Sequence, residues 1–216
     1  MYDAAGQPGV ASANDFGAAF AKVFGAASYS ATTADVLNLD WIDSPVGPLL
    51  AGATRDAVLL LEFSEQKTLA EQLHALRRRF PMSIARGDNR WLEELRRQFA
   101  DYFAGQRRAF DLPLRYPGTA FQEKVWNGLL RIPYGETWSY RELALHVGDA
   151  KASRAVGMAN GTNRLAILIP CHRVVNSNGT LGGYGGGSWR KRLLLDLERG
   201  QGELLAVVRG PIETYK

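Results

Sequence analysis

Hydrophobic positions along the chain change period as the sequence proceeds. From residue 36 to 63 they fall in short runs, Val36 to Ile42, Leu49 to Ala53 and Val58 to Phe63. Ser44-Pro45, Gly47-Pro48 and Arg55-Asp56 interrupt the runs with turn-forming residues, so this segment predicts three strands with tight connections. Helical spacing follows. Leu69, Leu73, Leu76 and Phe80 share one face between Glu65 and Phe80, and Leu92, Leu95, Phe99 and Phe103 share one between Asn89 and Ala104. Arg77, Arg78 and Arg79 lie near the end of the first helix, where cations suit the dipole, and read as a solvated face. A further strand is expected from Phe110 to Leu114, and Tyr116-Pro117-Gly118 reads as a linker.

Beyond the linker the pattern is mostly helical. Thr119-x-x-Gln122 and Ser139-x-x-Glu142 are capping boxes, which place helix starts at Ala120 and Tyr140. Phe121, Val125 and Leu129 are expected on the core side of the first helix, and Pro133 with Gly135 ends it in a turn. Leu143, Ala144 and Val147 line the second, which Gly148 closes. A third short helix is expected from Lys151 to Asn160, making a helix-turn-helix with the second. Leu165 to Ile169 reads as a buried strand cut off by Pro170, which fixes its own φ and pushes Ile169 into an extended shape. Val174-Val175 reads as a strand before an Asn178-Gly179 turn, and Ser188 to Glu198 as a last helix with Leu193, Leu194 and Leu197 inward.

The ends differ in character. In residues 1–34, Phe16, Phe20 and Phe24 recur at helical spacing before Gly25, after a Gly/Pro/Ala-rich start. Residues 204–216 read as a loosely attached tail. The expected organisation is therefore a flexible extension (1–34), an α/β domain (35–115), a mostly α domain with the helix-turn-helix (119–203) and the tail.

Composition narrows the possibilities. Of the 216 residues, 46% are hydrophobic and 22% charged, ordinary for a globular protein. The net charge of +4 permits nucleic-acid binding without demonstrating it. No apolar run approaches the roughly 20 residues a membrane span needs, and no secretory signal is visible. One cysteine excludes an internal disulfide and any multi-thiolate metal site, so a free thiol in the cytoplasm and no metal are expected.

That cysteine is Cys171, in Ile169-Pro170-Cys171-His172-Arg173-Val174-Val175. Only a thiolate is a good nucleophile, and neighbouring cations or proton acceptors make one more accessible. A lone cysteine is more often a small buried hydrophobe, but its flanks favour chemistry.

Pro-Cys-His-Arg-Val-Val at 170–175 resembles the active-site signature of the O6-alkylguanine-DNA alkyltransferases, also called methylated-DNA–protein-cysteine methyltransferases. The likeness runs from about Thr119 to Glu198. It takes in Phe121-Gln122, Val125-Trp126, Ile132-Pro133-Tyr134-Gly135-Glu136-Thr137, Ser139-Tyr140, Glu142-Leu143-Ala144, Arg154-Ala155-Val156-Gly157, Asn163, and Gly183-Tyr184 before Lys191. Asn163-Arg164 in place of the Asn-Pro of some relatives is as in the Ada-like branch. The segment 12–25 weakly resembles the recognition helix of AraC-type regulators, which are fused to alkyltransferases in Ada-like proteins; with no helix preceding it, it reads as a remnant or a docking helix.

The resemblance implies a ribonuclease-H-like sheet with helices in the first domain. It implies stoichiometric DNA repair, in which Cys171 irreversibly takes the alkyl group from O6-alkylguanine, or O4-alkylthymine, in double-stranded DNA. A relay from Cys171 through a water to His172 and Glu198 would activate the sulfur. Tyr140 would assist the departing purine and help rotate the nucleotide outward, and Arg154 would insert into the gap from the minor groove. Asn163 would be the hinge before the active-site segment. Main-chain groups near Cys171 and Val174 would read the guanine edge, and Tyr184 would wall the pocket. Gly185, a serine in some relatives, would offer a backbone donor; Ser139 and Lys191 also fall among the implied DNA- or base-contacting residues. The protein would act as a monomer, and the chemistry implied by the resemblance calls for no cofactor. The alternatives are a non-catalytic sensor of alkylated DNA, against which the presence of Cys171 argues, a fragment of an Ada-like transcription regulator, and a Cys–His hydrolase.

Overall fold

Strand β1 (Val36–Ile42) alternates half-buried and buried positions along most of its length, the period-two signature of a strand with one face on a core. It pairs antiparallel with β2 (Leu49–Ala53), and β2 pairs antiparallel with β3 (Val58–Phe63). β4 (Ser83–Arg86) runs parallel beside β1, giving the order β3-β2-β1-β4. The computed structural model of the chain describes residues 18, 20–22, 36–63, 74, 78, 80 and 82–201. Two compact units share the chain, residues 1–96 with 112–116 and residues 97–111 with 117–216.

In the first unit, Leu37, Leu39, Trp41, Leu50, Leu59 and Leu60 form a buried cluster with Phe20 and Phe80. Phe20 belongs to the stripe read in the extension; residues 18 and 20–22 are helical, and the rest of that expectation lies outside the described residues. The helix expected from Glu65 to Phe80 also falls largely outside them, though His74 and Arg78 are helical and exposed. The strand expected at 110–114 is not formed. Leu114 alone bridges to Val58, whose N–H donates to the Pro113 carbonyl, because Pro113 has no N–H to extend a ladder.

Helix α1 (Arg90–Phe103) starts on Asn89, whose side-chain oxygen accepts from the backbone of Trp91 and Leu92. Leu92, Leu95, Phe99 and Phe103 are all buried. Residues 97–111, which the hydrophobic pattern groups with the first half, cluster with the second unit.

The second unit holds α2 (Ala120–Leu129), β5 (Trp138–Ser139), α3 (Tyr140–His146), α4 (Ser153–Gly161), β6 (Val174–Val175) and α5 (Ser188–Glu198). Both capping boxes form as expected. The helices α2, α3 and α4 pack on one another, and α3 and α4 make the helix-turn-helix. On α2 the core face holds Trp126, whose indole N–H donates to the Ala159 carbonyl at 2.9 Å, while Phe121 is exposed. On α5, Leu194 and Leu197 are buried as expected, Leu195 joins them, and Leu193 is only half-buried.

Residues 165–169 are buried but do not form a strand. They make a tight turn in which Ile169 N–H donates to the Leu165 carbonyl at 2.8 Å and Leu168 N–H to the Ala166 carbonyl at 2.8 Å. Ile167 sits at φ +71°, a left-handed conformation that costs a β-branched residue about 1–3 kcal/mol. A short apolar run does not distinguish a central strand from a buried turn, since both hide the same side chains.

Candidate active site

Pro170 ends the buried turn, and a single 3-10 turn, Cys171–Arg173, carries the chain into β6. Three consecutive side chains, Cys171, His172 and Arg173, are thereby buried. Asn163 closes the turn beneath them. Its side-chain oxygen accepts from Leu165 N–H at 3.0 Å, and its amide donates to the Ile169 carbonyl at 2.9 Å and to Cys171 Sγ at 3.2 Å.

Burial pushes the Cys171 thiol above its ordinary pKa, while the Asn163 amide and the Lys191 ammonium pull it back down. The resting sulfur is therefore a thiol and needs a base to react.

His172 is completely buried, with Nε2 2.9 Å from Glu198 Oε1. Burial lowers the imidazole pKa, against the opposite pull of Glu198. The neutral ring must then carry its proton on Nε2, facing the carboxylate, which leaves Nδ1 as a bare lone pair. Nδ1 is buried and has no hydrogen-bond partner among the described residues.

Glu198, on the last turn of α5, collects donors from four residues. Oε1 accepts from His172, from Tyr102 Oη at 2.7 Å and from Arg173 Nη2 at 2.9 Å. Oε2 accepts from Arg173 Nε at 2.8 Å and from Gly135 N–H at 3.1 Å. Burial alone would raise this carboxyl's pKa, but His172 and Arg173 hold it well below the usual carboxylate range. Gly135 lies at φ +80°, and a Cβ there would stand 3.0 Å from the Glu198 carbonyl oxygen, so this approach needs glycine.

Comparisons with known proteins bear on the family of the whole chain. The 6-O-methylguanine DNA methyltransferase DNA binding domain matches residues 120–200, and the ribonuclease-like domain of the same family matches residues 39–116. The methylated-DNA–protein-cysteine methyltransferase of Methanosarcina acetivorans is 42% identical over 156 residues, which is 72% of this chain and 94% of that protein. The chain belongs to the methylated-DNA–protein-cysteine methyltransferase family. The family member from Mycobacterium bovis is 44% identical over 158 residues, 73% of this chain and 90% of that one. Among solved structures, Mycobacterium tuberculosis OGT in complex with DNA superposes with a TM-score of 0.66 at 40% identity, over 80% of this chain and 99% of that one.

The remaining residues expected of a methyltransferase of this family fall into two groups. Tyr140, Lys191 and Tyr184 lie near the thiol, and Val174 N–H donates to the Cys171 carbonyl. The Tyr140 hydroxyl donates to the Gly183 carbonyl at 3.4 Å, and burial raises its pKa against a hydrogen bond from Asn160. Gly182 packs close to that ring, at φ +67°, with room for no more than a tight Cβ. Lys191 is completely buried, and its Nζ donates to the carbonyls of Val174 at 2.5 Å and Gly183 at 3.2 Å. Burial lowers its pKa to about 8. The Tyr184 ring stands edge-on to His172 with centroids 6.4 Å apart.

Arg154, Gly185 and Ser139 are not part of that cluster. Arg154 and Gly185 are exposed. Ser139 is engaged in capping α3, its hydroxyl accepting from Glu142 N–H at 3.1 Å. Conversely, Arg173, Tyr102, Gly135 and Asn160 belong to the site without having been singled out. Arg173 was visible inside the signature, whereas Tyr102 is 96 positions from its partner in a stripe of core aromatics.

Proposed function

We propose that Cys171 takes the alkyl group directly from O6-alkylguanine in double-stranded DNA and keeps it. His172 is the base, Glu198 its orienting group and Tyr140 the proton donor to the departing purine. DNA repair by transfer of a methyl group to a protein cysteine is the activity of the family to which the chain belongs. The observation that carries the residue assignment is the bare, buried Nδ1 of His172, fixed through Nε2 on Glu198 and adjacent in sequence to the protein's one thiol.

The thiol proton passes to His172 Nδ1, through a bridging water, and Cys171 Sγ attacks the alkyl carbon in line. A carbon–sulfur bond forms as the carbon–O6 bond breaks, and the bonding pair stays with the purine. The guanine leaves with a proton from the Tyr140 hydroxyl, which burial keeps protonated. Glu198 stays ionised throughout and stabilises the imidazolium that forms.

The product is a thioether, with no acyl or phosphoryl bond for water to hydrolyse, so each molecule reacts once. A base inside a duplex is out of reach of a buried sulfur. The nucleotide therefore has to be extruded, at a few kcal/mol of stacking. Arg154, exposed on α4, fills the gap from the minor groove. O4-alkylthymine presents the same alkyl–oxygen bond and is a further substrate. The protein acts in the cytoplasm, where its thiol stays reduced, and as a monomer.

The test is transfer of label from O6-methylguanine duplex to protein, with Cys171→Ala alongside. Wild type becomes labelled, and the variant binds the duplex without taking up label. A labelled alanine variant would overturn the assignment.

A further inference from the structure

Three donors converge on one oxygen of Glu198. Oε1 accepts from Tyr102 Oη, His172 Nε2 and Arg173 Nη2 at 2.7, 2.9 and 2.9 Å. A carboxylate oxygen has about two lone-pair sites, so the three donors share what two would saturate. The shortest of the three bonds comes from Tyr102, a residue with no part in the relay proposed above. It is completely buried on α1 and wedged edge-on between Phe103 and Tyr134, with Phe110 at 5.2 Å. Burial, reinforced by Glu198, keeps the phenol protonated, so toward the carboxylate it acts as a donor.

We infer that Tyr102 is a positioning residue for alkyl transfer: by occupying Glu198 Oε1 it limits the carboxylate's pull on the His172 N–H, and so keeps the imidazole neutral with Nδ1 open to the Cys171 proton. The inference rests on the relay in which His172 is the base. An ionised carboxylate attracts an imidazolium more than an imidazole, and each donor added to the carboxylate disperses its charge and weakens that preference. Arg173 does the same from the other side but also carries charge and bonds the Ile132 carbonyl at 2.7 Å, so its removal would disturb more than one contact. The Tyr102 hydroxyl can be removed while its ring still fills the aromatic pocket. Among the described residues the other groups facing the His172 ring are Lys191, Arg173 and the Tyr184 ring, the Cys171 sulfur meets the His172 backbone N–H, and Tyr134 also faces Glu198. Altering this one hydroxyl removes none of them, though Arg173 shares Oε1 with it.

The experiment is the pH profile of the single-turnover rate of alkyl transfer to full-length protein from O6-methylguanine duplex. The rate falls on the acid side when His172 becomes protonated before the thiol can use it. Tyr102→Phe frees Oε1, raises the basicity of His172 and moves this acid limb to higher pH by about half a unit to one unit. Replacing Tyr102 by 3-fluorotyrosine strengthens the donor with little change of shape, and moves the limb to lower pH. The fluorinated variant carries the test if phenylalanine impairs folding. A rate lowered equally at every pH, with the limb in place, would mean a merely structural role and overturn the inference. So would a limb that neither variant moves. An acid limb that persists in His172→Asn would instead overturn the relay itself, which keeps the two failures apart.

Discussion

His172 Nε2 lies 2.9 Å from Glu198 Oε1, and Nδ1 of the same ring is buried without a hydrogen-bond partner among the described residues. One ring nitrogen is thus fixed and the other kept available, which is what a base serving a high-pKa thiol requires. Glu198→Gln removes the charge that balances Arg173 and leaves a buried guanidinium unpaired. The expected loss of stability is about 3–5 kcal/mol, measured by urea denaturation. The single-turnover rate of the folded fraction should fall by about 100-fold or more.

Acid should destabilise the protein in two stages. Burial lowers the His172 pKa below its ordinary 6.5. As pH falls through that ordinary value, the unfolded chain gains a proton that folded His172 refuses, and stability is lost. Glu198, held below its ordinary 4.5, repeats the effect at lower pH. Its contribution is therefore present above the unfolded value and disappears on further acidification. Denaturation midpoints between pH 8 and pH 3 should fall in these two steps, and His172→Asn should flatten the first. A midpoint independent of pH between 7 and 5 in wild type would contradict this.

Asn163 satisfies three backbone groups of the buried turn and also contacts the sulfur. Asn163→Ala leaves the Leu165 N–H without its partner and takes one donor each from the Leu165 and Ile169 carbonyls, which keep the N–H groups of Ile169 and Cys171. A loss of about 1–3 kcal/mol is expected, with slower alkyl transfer because the nucleophile is no longer held. Asn163→Ala as stable as wild type in urea would show that the turn holds itself.

Arg154 should matter only when a base has to leave a duplex. Arg154→Ala is expected to lower the transfer rate from O6-methylguanine in duplex DNA by at least about 10-fold. The rate on free O6-benzylguanine, which needs no flipping, should be unchanged. Equal losses on both substrates would place Arg154's effect in the chemistry or the fold instead.

Much of this site could be read from the chain because its determinants are local. The two capping boxes fix the starts of α2 and α3 through contacts three residues apart, and Pro-Cys-His-Arg sits within one turn of backbone. What could not be read depends on distant partners. The run 165–169 has the hydrophobicity of a strand, but its backbone is satisfied as a turn, by bonds within the run and by Asn163's side chain on Leu165 and Ile169. β4 is four residues with modest apolar content, and it pairs in parallel with β1, far from any hairpin signal. Tyr102 carries no local signal of its contact, because its partner, Glu198, is on the last helix. Phe121 has the spacing of a core residue but is exposed on α2, where Trp126 reaches the Ala159 carbonyl instead.

Intact mass spectrometry after incubation with excess O6-methylguanine duplex tests the irreversible acceptance of the alkyl group most directly. The account predicts a gain of one methyl group per molecule, located on Cys171, with one lesion cleared for each protein consumed. Protein recovered at its original mass while many equivalents of lesion disappear would contradict it.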